Sequence, residues 1–344
     1  MGRVMHSEEE LDGLRARVEA GLSAGAAPAR VRPIEPLAGG ACQELFAVEV
    51  DQGGLRRSLV LRVDAPTSLP GSIDRRAEFA VVNAAAEAGV PTPRGLLLLG
   101  DLLRPGAWGW LMDRLPGLAL GGKVVGAREL SAARAGLPGA LMEALVRIHG
   151  LGPVSHPALV AALGAPPEDP EAAALIGLRR TLDQLPMARP ALELCLRWLQ
   201  DHRPPASPVV LVHGDFRVGN FLVAPTGLVA VLDWEFARFG APAEDLAWLC
   251  VRDWRFGRID LPAGGLCSRE ELVAAYVAAG GVAPDVQTRH WWEVMGNARW
   301  GAGSVAQGAR FAAEEEPDIE LLAIARRAIE MEFEALRLIR QGPA

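Results

Sequence analysis

Lysine is almost missing from this chain. Of 344 residues only Lys123 is a lysine, and the rest of its 35 lysines and arginines are arginine. Many phosphate-handling enzymes rely on a lysine, and the single one here reads as part of a loop, in Gly121-Gly-Lys123. Cysteine is scarce as well. Cys42, Cys195, Cys250 and Cys267 lie far apart with no Cys-x-x-Cys pair. That spacing argues against a disulfide framework or a zinc site and suits reduced thiols in a cytoplasm. Long apolar runs are absent. Stretches such as Gly95–Gly100 and Val209–Val212 are far too short to cross a bilayer, so no membrane partner is expected. The first ten residues contain no apolar h-region, so a cytoplasmic location is the expectation. A basic excess is absent too. The net charge of −7 argues against a broad nucleic-acid-binding surface. What remains is ordinary globular material, with 50% hydrophobic and 22% charged residues. The length allows one large domain or two linked lobes.

The hydrophobic pattern divides the chain. Ser7 and Glu10 read as a capping box, and Leu11, Leu14, Val18 and Leu22 follow at helical spacing, so residues 8–22 form an amphipathic helix. Residues 24–33 read as an Ala- and Pro-rich linker. Leu45–Val50 and Leu59–Val63 are short β-branched runs around the turn-forming Asp51–Gly54, the mark of a hairpin. A helix is predicted over Arg75–Ala88, then strands over Leu96–Leu99 and Trp108–Met112. After Leu115-Pro-Gly117 helices dominate: Leu137–His149, Glu171–Leu185, Ala191–His202, Ala243–Val251, Ser268–Ala279, Thr288–Ala306 and Asp318–Arg340. Short strands over Val209–Val212, Phe221–Val223 and Leu228–Leu232 interrupt them. The expectation is an α+β chain in three parts. Residues 1–28 are a helix and linker, 29–114 a small β-rich N-lobe, and 115–344 a larger, mainly helical C-lobe.

The stretch that carries chemistry runs from Val209 to Val223. A strand leads into His213-Gly214-Asp215, and Asn220 follows five residues after Asp215. A second strand ends at Leu232-Asp233-Trp234-Glu235. Polar residues on loops between apolar strands are placed to act on a ligand in a cleft. Phosphoryl transfer from a nucleotide wants such a set. Asp215 fits the carboxylate that orients or deprotonates an acceptor hydroxyl. The Asn220 amide oxygen and the Asp233 carboxylate fit hard ligands for Mg²⁺. Taken singly, an Asp or Asn in a loop is a turn former; it is the three at this spacing that match Asp-x-x-x-x-Asn followed by a metal-binding Asp.

At these residues the chain resembles the aminoglycoside phosphotransferase-like, or choline-kinase-like, family. His213, Gly214, Asp215 and Asn220 match its His-Gly-Asp-x-x-x-x-Asn, and Asp233 and Glu235 match its Asp-x-Glu. Gly240–Ala247 matches its Gly-x-Pro-x-x-Asp-Leu-Ala continuation. Leu-Asp-Trp-Glu and Asn297-Ala-Arg-Trp300 are most similar to a subgroup found alone or fused to acyl-CoA dehydrogenase modules. The resemblance implies a protein-kinase-like two-lobed fold, with ATP and Mg²⁺ as cofactors and GTP also open. It implies a small-molecule hydroxyl acceptor and a monomer or homodimer. It makes His213 a brace for the catalytic loop. Asp245 reads as a second brace, from a helix start where a carboxylate suits the dipole. Glu235 is open between metal neighbour and surface residue.

The nucleotide end is read from the first lobe. Gly39 and Gly40 sit in a turn where backbone N–H groups could approach phosphates, although an ordinary hairpin turn has the same composition. Arg62, in Leu59-Val-Leu-Arg-Val63, stands where a kinase-like strand carries its phosphate-holding cation. The subgroup commonly has Leu-Arg here, and arginine offers phosphate oxygens a planar fork. Glu78 is its expected helix partner; a solvated arginine and a surface glutamate are the alternative. Met112, Asp113 and Arg114 read as the hinge whose backbone would meet an adenine, with Leu61, Met112, Leu222 and Leu232 as candidate apolar walls.

Acceptor specificity is expected from 251–258 and 289–311. These segments carry Arg252, Arg255, Arg258, Arg289, Arg299 and Arg310 against few acids. Trp254, Trp291, Trp292 and Trp300 crowd the same region, as core or as pocket wall. The balance suits an anionic or neutral acceptor better than a polycation, with Glu314-Glu-Glu316 as counterweight. The reading is therefore a kinase for a hydroxyl on a small molecule, such as a hydroxy acid or hydroxyacyl thioester. The alternatives are a catalytically weak nucleotide-binding module and an aminoglycoside- or macrolide-type antibiotic kinase. A protein kinase is disfavoured because no Ala-Pro-Glu segment follows Asp233. A hydrolase built on His213 and Asp215 is disfavoured because no Gly-x-Ser-x-Gly nucleophile stands near them in the chain.

Overall fold

A computed structural model of the protein describes residues 6–25, 27–37, 43–66, 69–313 and 319–343. Helix α1 (Glu8–Ser23) starts at the Ser7 cap, with Glu10 reaching back to the Ser7 N–H. Its Leu14 and Val18 pack on a curled antiparallel sheet. The strands are β1 (Ala29–Val31), β2 (Glu35–Pro36), β3 (Gln43–Gln52), β4 (Leu55–Asp64), β5 (Gly95–Leu99) and β6 (Gly109–Asp113). Their order is β1-β3-β4-β6-β5, with β2 also pairing β3. Strands β3 and β4 run on past the expected ends and leave only Gly53 and Gly54 in the turn. Both glycines have positive φ, as a two-residue hairpin loop requires. The expected linker at 24–33 is partly strand. Ala29 and Val31 face inward beside β3, and the Val31 N–H donates to Glu19 of α1. Helix α2 (Arg75–Glu87), capped by Asp74, packs behind the sheet.

The second lobe is helical. Its helices are α3 (Gly121–Gly126), α4 (Ser131–His149), α5 (Pro157–Leu163), α6 (Pro170–Asp183), α7 (Pro190–Asp201), α8 (Pro242–Leu249), α9 (Arg269–Ala278), α10 (Val286–Ala312), α11 (Ile319–Ala325) and α12 (Ala328–Gln341). Two short β-ladders sit among them: β7 (Val210–Val212) pairs β10 (Arg238–Gly240), and β8 (Phe221–Ala224) pairs β9 (Gly227–Val231). Lys123, expected in a loop, lies in α3. The last helix, expected as one, breaks at Arg326 and Arg327, where the Arg327 guanidinium bonds Asp253 and Glu330. No helix among the described residues is long and apolar enough to cross a membrane. Cys195, Cys250 and Cys267 are buried free thiols, and burial pushes their pKa values up.

Candidate active site

The loop between β7 and β8 alternates its side chains. Phe216, Val218 and Phe221 are fully buried in the lobe's core. Asp215 and Arg217, in between, turn to the opposite side. Gly214 makes the turn possible. Its φ is +78°, and a Cβ there would lie 2.2 Å from the Phe236 carbonyl oxygen. Asp245, in the first turn of α8, holds this loop from below. Its carboxylate accepts the His213 N–H at 2.7 Å and the Gly214 N–H at 2.9 Å. His149 Nε2 lies 3.3 Å from the same group, and Tyr276, the single tyrosine, meets His149 Nδ1. Burial disfavours the Asp245 charge, but these bonds outweigh it and hold its pKa below the ordinary carboxylate value.

His213 is a brace. The Asp215 N–H points at Nδ1, so Nε2 carries the proton and donates to the Leu232 carbonyl at 3.0 Å. Full burial pushes its pKa down and keeps the ring neutral. The Leu232 N–H donates in turn to the Asn220 carbonyl, so the loop from His213 to Asn220 and the Asp233 loop are tied in register. Asp233 itself has φ +67°, a left-handed backbone rare for a residue with a side chain.

Asp215 is surrounded by donors. Trp248 Nε1 donates to Oδ1 at 2.7 Å, and Asn220 Nδ2 donates to Oδ2 at 2.6 Å. Arg217 Nε spans both oxygens, at 3.0 and 3.1 Å. Its guanidinium lies over the Trp254 ring, 4.4 Å from the centroid. Trp248 was not singled out in the sequence. It follows Asp245 by three residues on α8, so both face the catalytic loop, and that spacing was the available signal.

Arg62 and Glu78 do meet. Arg62 Nη2 lies 2.9 Å from Glu78 Oε1, 2.7 Å from Asp233 Oδ1 and 3.6 Å from Glu235 Oε2. Arg62 is 6% exposed and Glu78 1%, so the solvated alternative does not hold. Burial alone would lower the Arg62 pKa; the charges of Glu78, Asp233 and Glu235 reverse that and raise it. Two partners of Glu78 escaped the sequence reading. Trp110, opposite Arg62 in the β4–β6 ladder, donates its indole N–H at 3.1 Å, and Arg75 approaches from one turn earlier on α2. Glu235 is neither a surface residue nor free. It lies 3.6 Å from both Arg62 and Arg75, and burial, aided by the Asp233 charge, pushes it up to about 7.

The donor set suits Mg²⁺. Asn220 spends Nδ2 on Asp215, which turns its Oδ1 the other way, and Asp233 carries a partly exposed carboxylate. Both are hard oxygens, and Mg²⁺ commonly completes its shell with phosphate and water. At the hinge, Met112 and Asp113 end β6, and Asp113 pairs with Arg57 through its side chain. The Arg114 N–H donates to the Ser58 carbonyl at 3.0 Å, so it meets a purine only if that bond opens. Gly39 and Gly40 lie outside the described residues.

The acceptor segments split. Arg252 and Arg255 are consumed by Glu334, and Trp291 and Trp292 bond Leu199 and Glu171 inside the core. Glu314, Glu315 and Glu316 lie outside the described residues. Arg299 does reach the site: it pairs with Glu244, donates to the Gly214 carbonyl, and stacks on Trp248 at 4.2 Å.

A curled sheet with a buried arginine–glutamate pair, set over a helical lobe bearing Asp-x-x-x-x-Asn and a second Asp, defines a protein-kinase-like phosphotransferase. The chain belongs to the phosphotransferase enzyme family, whose model matches residues 33–292. It is 30% identical over 213 residues to mouse (Mus musculus) acyl-CoA dehydrogenase family member 10. That match covers 57% of this chain but only 18% of the relative's length. Among solved structures it is similar to a Ralstonia eutropha protein provisionally assigned as an aminoglycoside phosphotransferase. There the TM-score is 0.74 at 20% identity, covering 97% of this chain and 99% of the other. It is also similar to a spectinomycin phosphotransferase solved with ADP and spectinomycin, with TM-score 0.61 at 12% identity, covering 97% and 99%. At these identities the structures speak for the fold alone.

Proposed function

We propose that the protein transfers the γ-phosphoryl group of ATP to a hydroxyl on an anionic or acyl-bearing small molecule, a hydroxy acid or hydroxyacyl thioester. The observation that carries this is the surroundings of Asp215. Two arginines, Arg217 and Arg299, flank it, each stacked on an indole, Trp254 and Trp248. Their charges are partly spent on Asp215 and Glu244, but with Arg238 on the same Glu244 the arginines outnumber the carboxylates, and such a wall favours an acid or acyl group over a polycation. The name of the mouse relative, an acyl-CoA dehydrogenase family member, is what suggests an acyl-bearing acceptor. Arg62, held by Glu78, takes the nucleotide phosphates, and Asn220 and Asp233 would hold Mg²⁺, which supplies charge neutralisation for the leaving ADP. Asp215 orients the acceptor hydroxyl and accepts its proton as the oxygen attacks. The nucleotide lies between the sheet and the hinge at Met112–Arg114. Residues 29–114 and 115–344 act as the two lobes around it, in the cytoplasm.

The test is ADP release from Mg·ATP against a panel of hydroxy acids, hydroxyacyl thioesters, neutral alcohols and aminoglycosides. Turnover confined to acids or thioesters is expected. A kcat/KM near 10⁵ M⁻¹s⁻¹ with a kanamycin-like compound, on the usual scale of about 10⁴–10⁸, would overturn it.

A further inference from the structure

Arg217 sits where the acceptor hydroxyl has to go. A carboxylate has two outer lone pairs and an inner side between its oxygens. Trp248 and Asn220 each take one oxygen. Arg217 Nε is nearly equidistant from both, at 3.0 and 3.1 Å, which puts it on the inner side. The loop is shaped around that placement. Gly219, at φ +114°, leaves the space in which a Cβ would come within 2.5 Å of Arg217 Nη1. Arg217 is nonetheless not locked in. Its side chain is 25% exposed. Beyond Asp215, its one hydrogen bond among the described residues is a 3.4 Å contact from Nη1 to the Val218 carbonyl. The face of Trp254 gives the cation a second place to rest.

We propose that Arg217 is a specificity-determining positioning residue, covering the Asp215 carboxylate until an anionic group on the acceptor draws its guanidinium away. The inference rests on the proposed phosphotransfer at Asp215 and adds how that site selects its acceptor. An anion a few bonds from the hydroxyl takes the Arg217 N–H groups and the inner side of Asp215 opens for the hydroxyl. A neutral alcohol offers no such exchange. Water, the smallest competitor, is kept from the base in the same way. The guarded side reaction is hydrolysis: the water oxygen bonds to the γ-phosphorus, the bond to the β–γ bridging oxygen breaks, ADP leaves, and the water proton passes to Asp215.

The experiment measures ADP release from Mg·ATP by the full chain, wild type, Arg217→Ala and Arg217→Gln, with folding checked by thermal melting. Without acceptor, both variants should hydrolyse ATP about tenfold faster than wild type. Hexanoate, an anion with no hydroxyl, should stimulate wild-type hydrolysis and leave the variants unmoved, and methyl hexanoate should do nothing to either. With 3-hydroxyhexanoate and its methyl ester as acceptors, wild type should prefer the acid in kcat, and the variants should lose that preference by gaining on the ester. If neither compound is phosphorylated, the choice of acceptor class fails, and the hexanoate result still decides the role of Arg217. Slower hydrolysis in both variants with no hexanoate effect in wild type would overturn the proposal and move Arg217 to the transferred phosphoryl group.

Discussion

Replacing Arg62 by methionine removes one cation from among three carboxylates. Glu78, Asp233 and Glu235 all make their closest approach to Nη2, at 2.9, 2.7 and 3.6 Å. Breaking a buried pair from one side costs about 3–5 kcal/mol, because the other charge stays behind in low dielectric. Here Glu78 keeps Arg75 and the Trp110 N–H, and Asp233 is partly exposed, so the loss should fall near the lower end, about 3 kcal/mol. Glu78→Gln should cost somewhat less. Arg62 then keeps Asp233 and Glu235, and the amide oxygen still accepts from Trp110. In the double variant both charges of the pair are gone, so the combined loss should fall short of the sum by about 1–2 kcal/mol. Urea denaturation of the four proteins in the absence of nucleotide measures this directly, and KM for ATP follows the same cycle. Losses that add to within about 0.5 kcal/mol would refute the coupling.

Asp215→Asn should lower kcat by about 10²–10⁴ with little change in nucleotide affinity, as a positioned proton acceptor requires; weakened ATP binding at normal kcat would put the residue at the wrong end. Asp233→Ala should abolish Mg²⁺-dependent turnover while the melting transition survives, and wild-type rates in that variant would remove Asp233 from the metal site. Glu334 is buried between Arg255 and Arg337, whose bonds outweigh its desolvation and hold its pKa near about 2. A carboxylate lowered on folding contributes stability above its unfolded value of 4.5 that is lost as pH falls toward 2. Glu334→Gln should therefore destabilise by about 3–5 kcal/mol at pH 7 and progressively less between pH 4.5 and 2.5; a gap independent of pH would refute the assignment.

The candidate site on the loop between β7 and β8 was legible because its residues are nearly contiguous. His213 to Asn220 and Asp233 to Glu235 keep their spacing in one short stretch, and the alternation of Phe216 and Val218 with Asp215 and Arg217 separates core from cleft. Arg62 was legible as the one charged residue of the run Leu59–Val63, and Glu78 as the acidic residue in the first turn of the capped helix that follows. The rest depends on contacts between distant segments. Trp248 reaches Asp215 over 33 positions, and Trp110 reaches Glu78 over 32. Counting arginines in 251–258 took Arg252 and Arg255 as open to an acceptor, whereas both are paired with Glu334, some eighty positions away. The strand at Ala29–Val31 was hidden for the same reason: three residues become a strand only when β3 lies beside them.

The near-absence of lysine raises a last question, whether arginine at position 62 is needed for the fold or for the ligand. Arginine and lysine differ most where a flat fork matches two oxygens at once. Inside the protein the fork is not used. One nitrogen, Nη2, makes the closest contact with all three carboxylates, and Nε is buried with no hydrogen-bond partner among the described residues. An ammonium has three donors on one atom, so lysine can satisfy the same three groups from a chain one bond shorter, and it carries no buried Nε to leave unpaired. Arg62→Lys should then cost at most about 1 kcal/mol of stability, well short of the methionine variant, because no buried charge loses its partner. Nucleotide binding should respond differently. A guanidinium can turn Nη1 to phosphate oxygens while Nη2 stays with Glu78, and an ammonium held by three carboxylates has nothing left to offer. KM for ATP should therefore rise about tenfold in Arg62→Lys although the fold is intact. A lysine variant as unstable as the methionine one would show that the fold itself needs the guanidinium. An unchanged KM would show that the phosphates are held elsewhere.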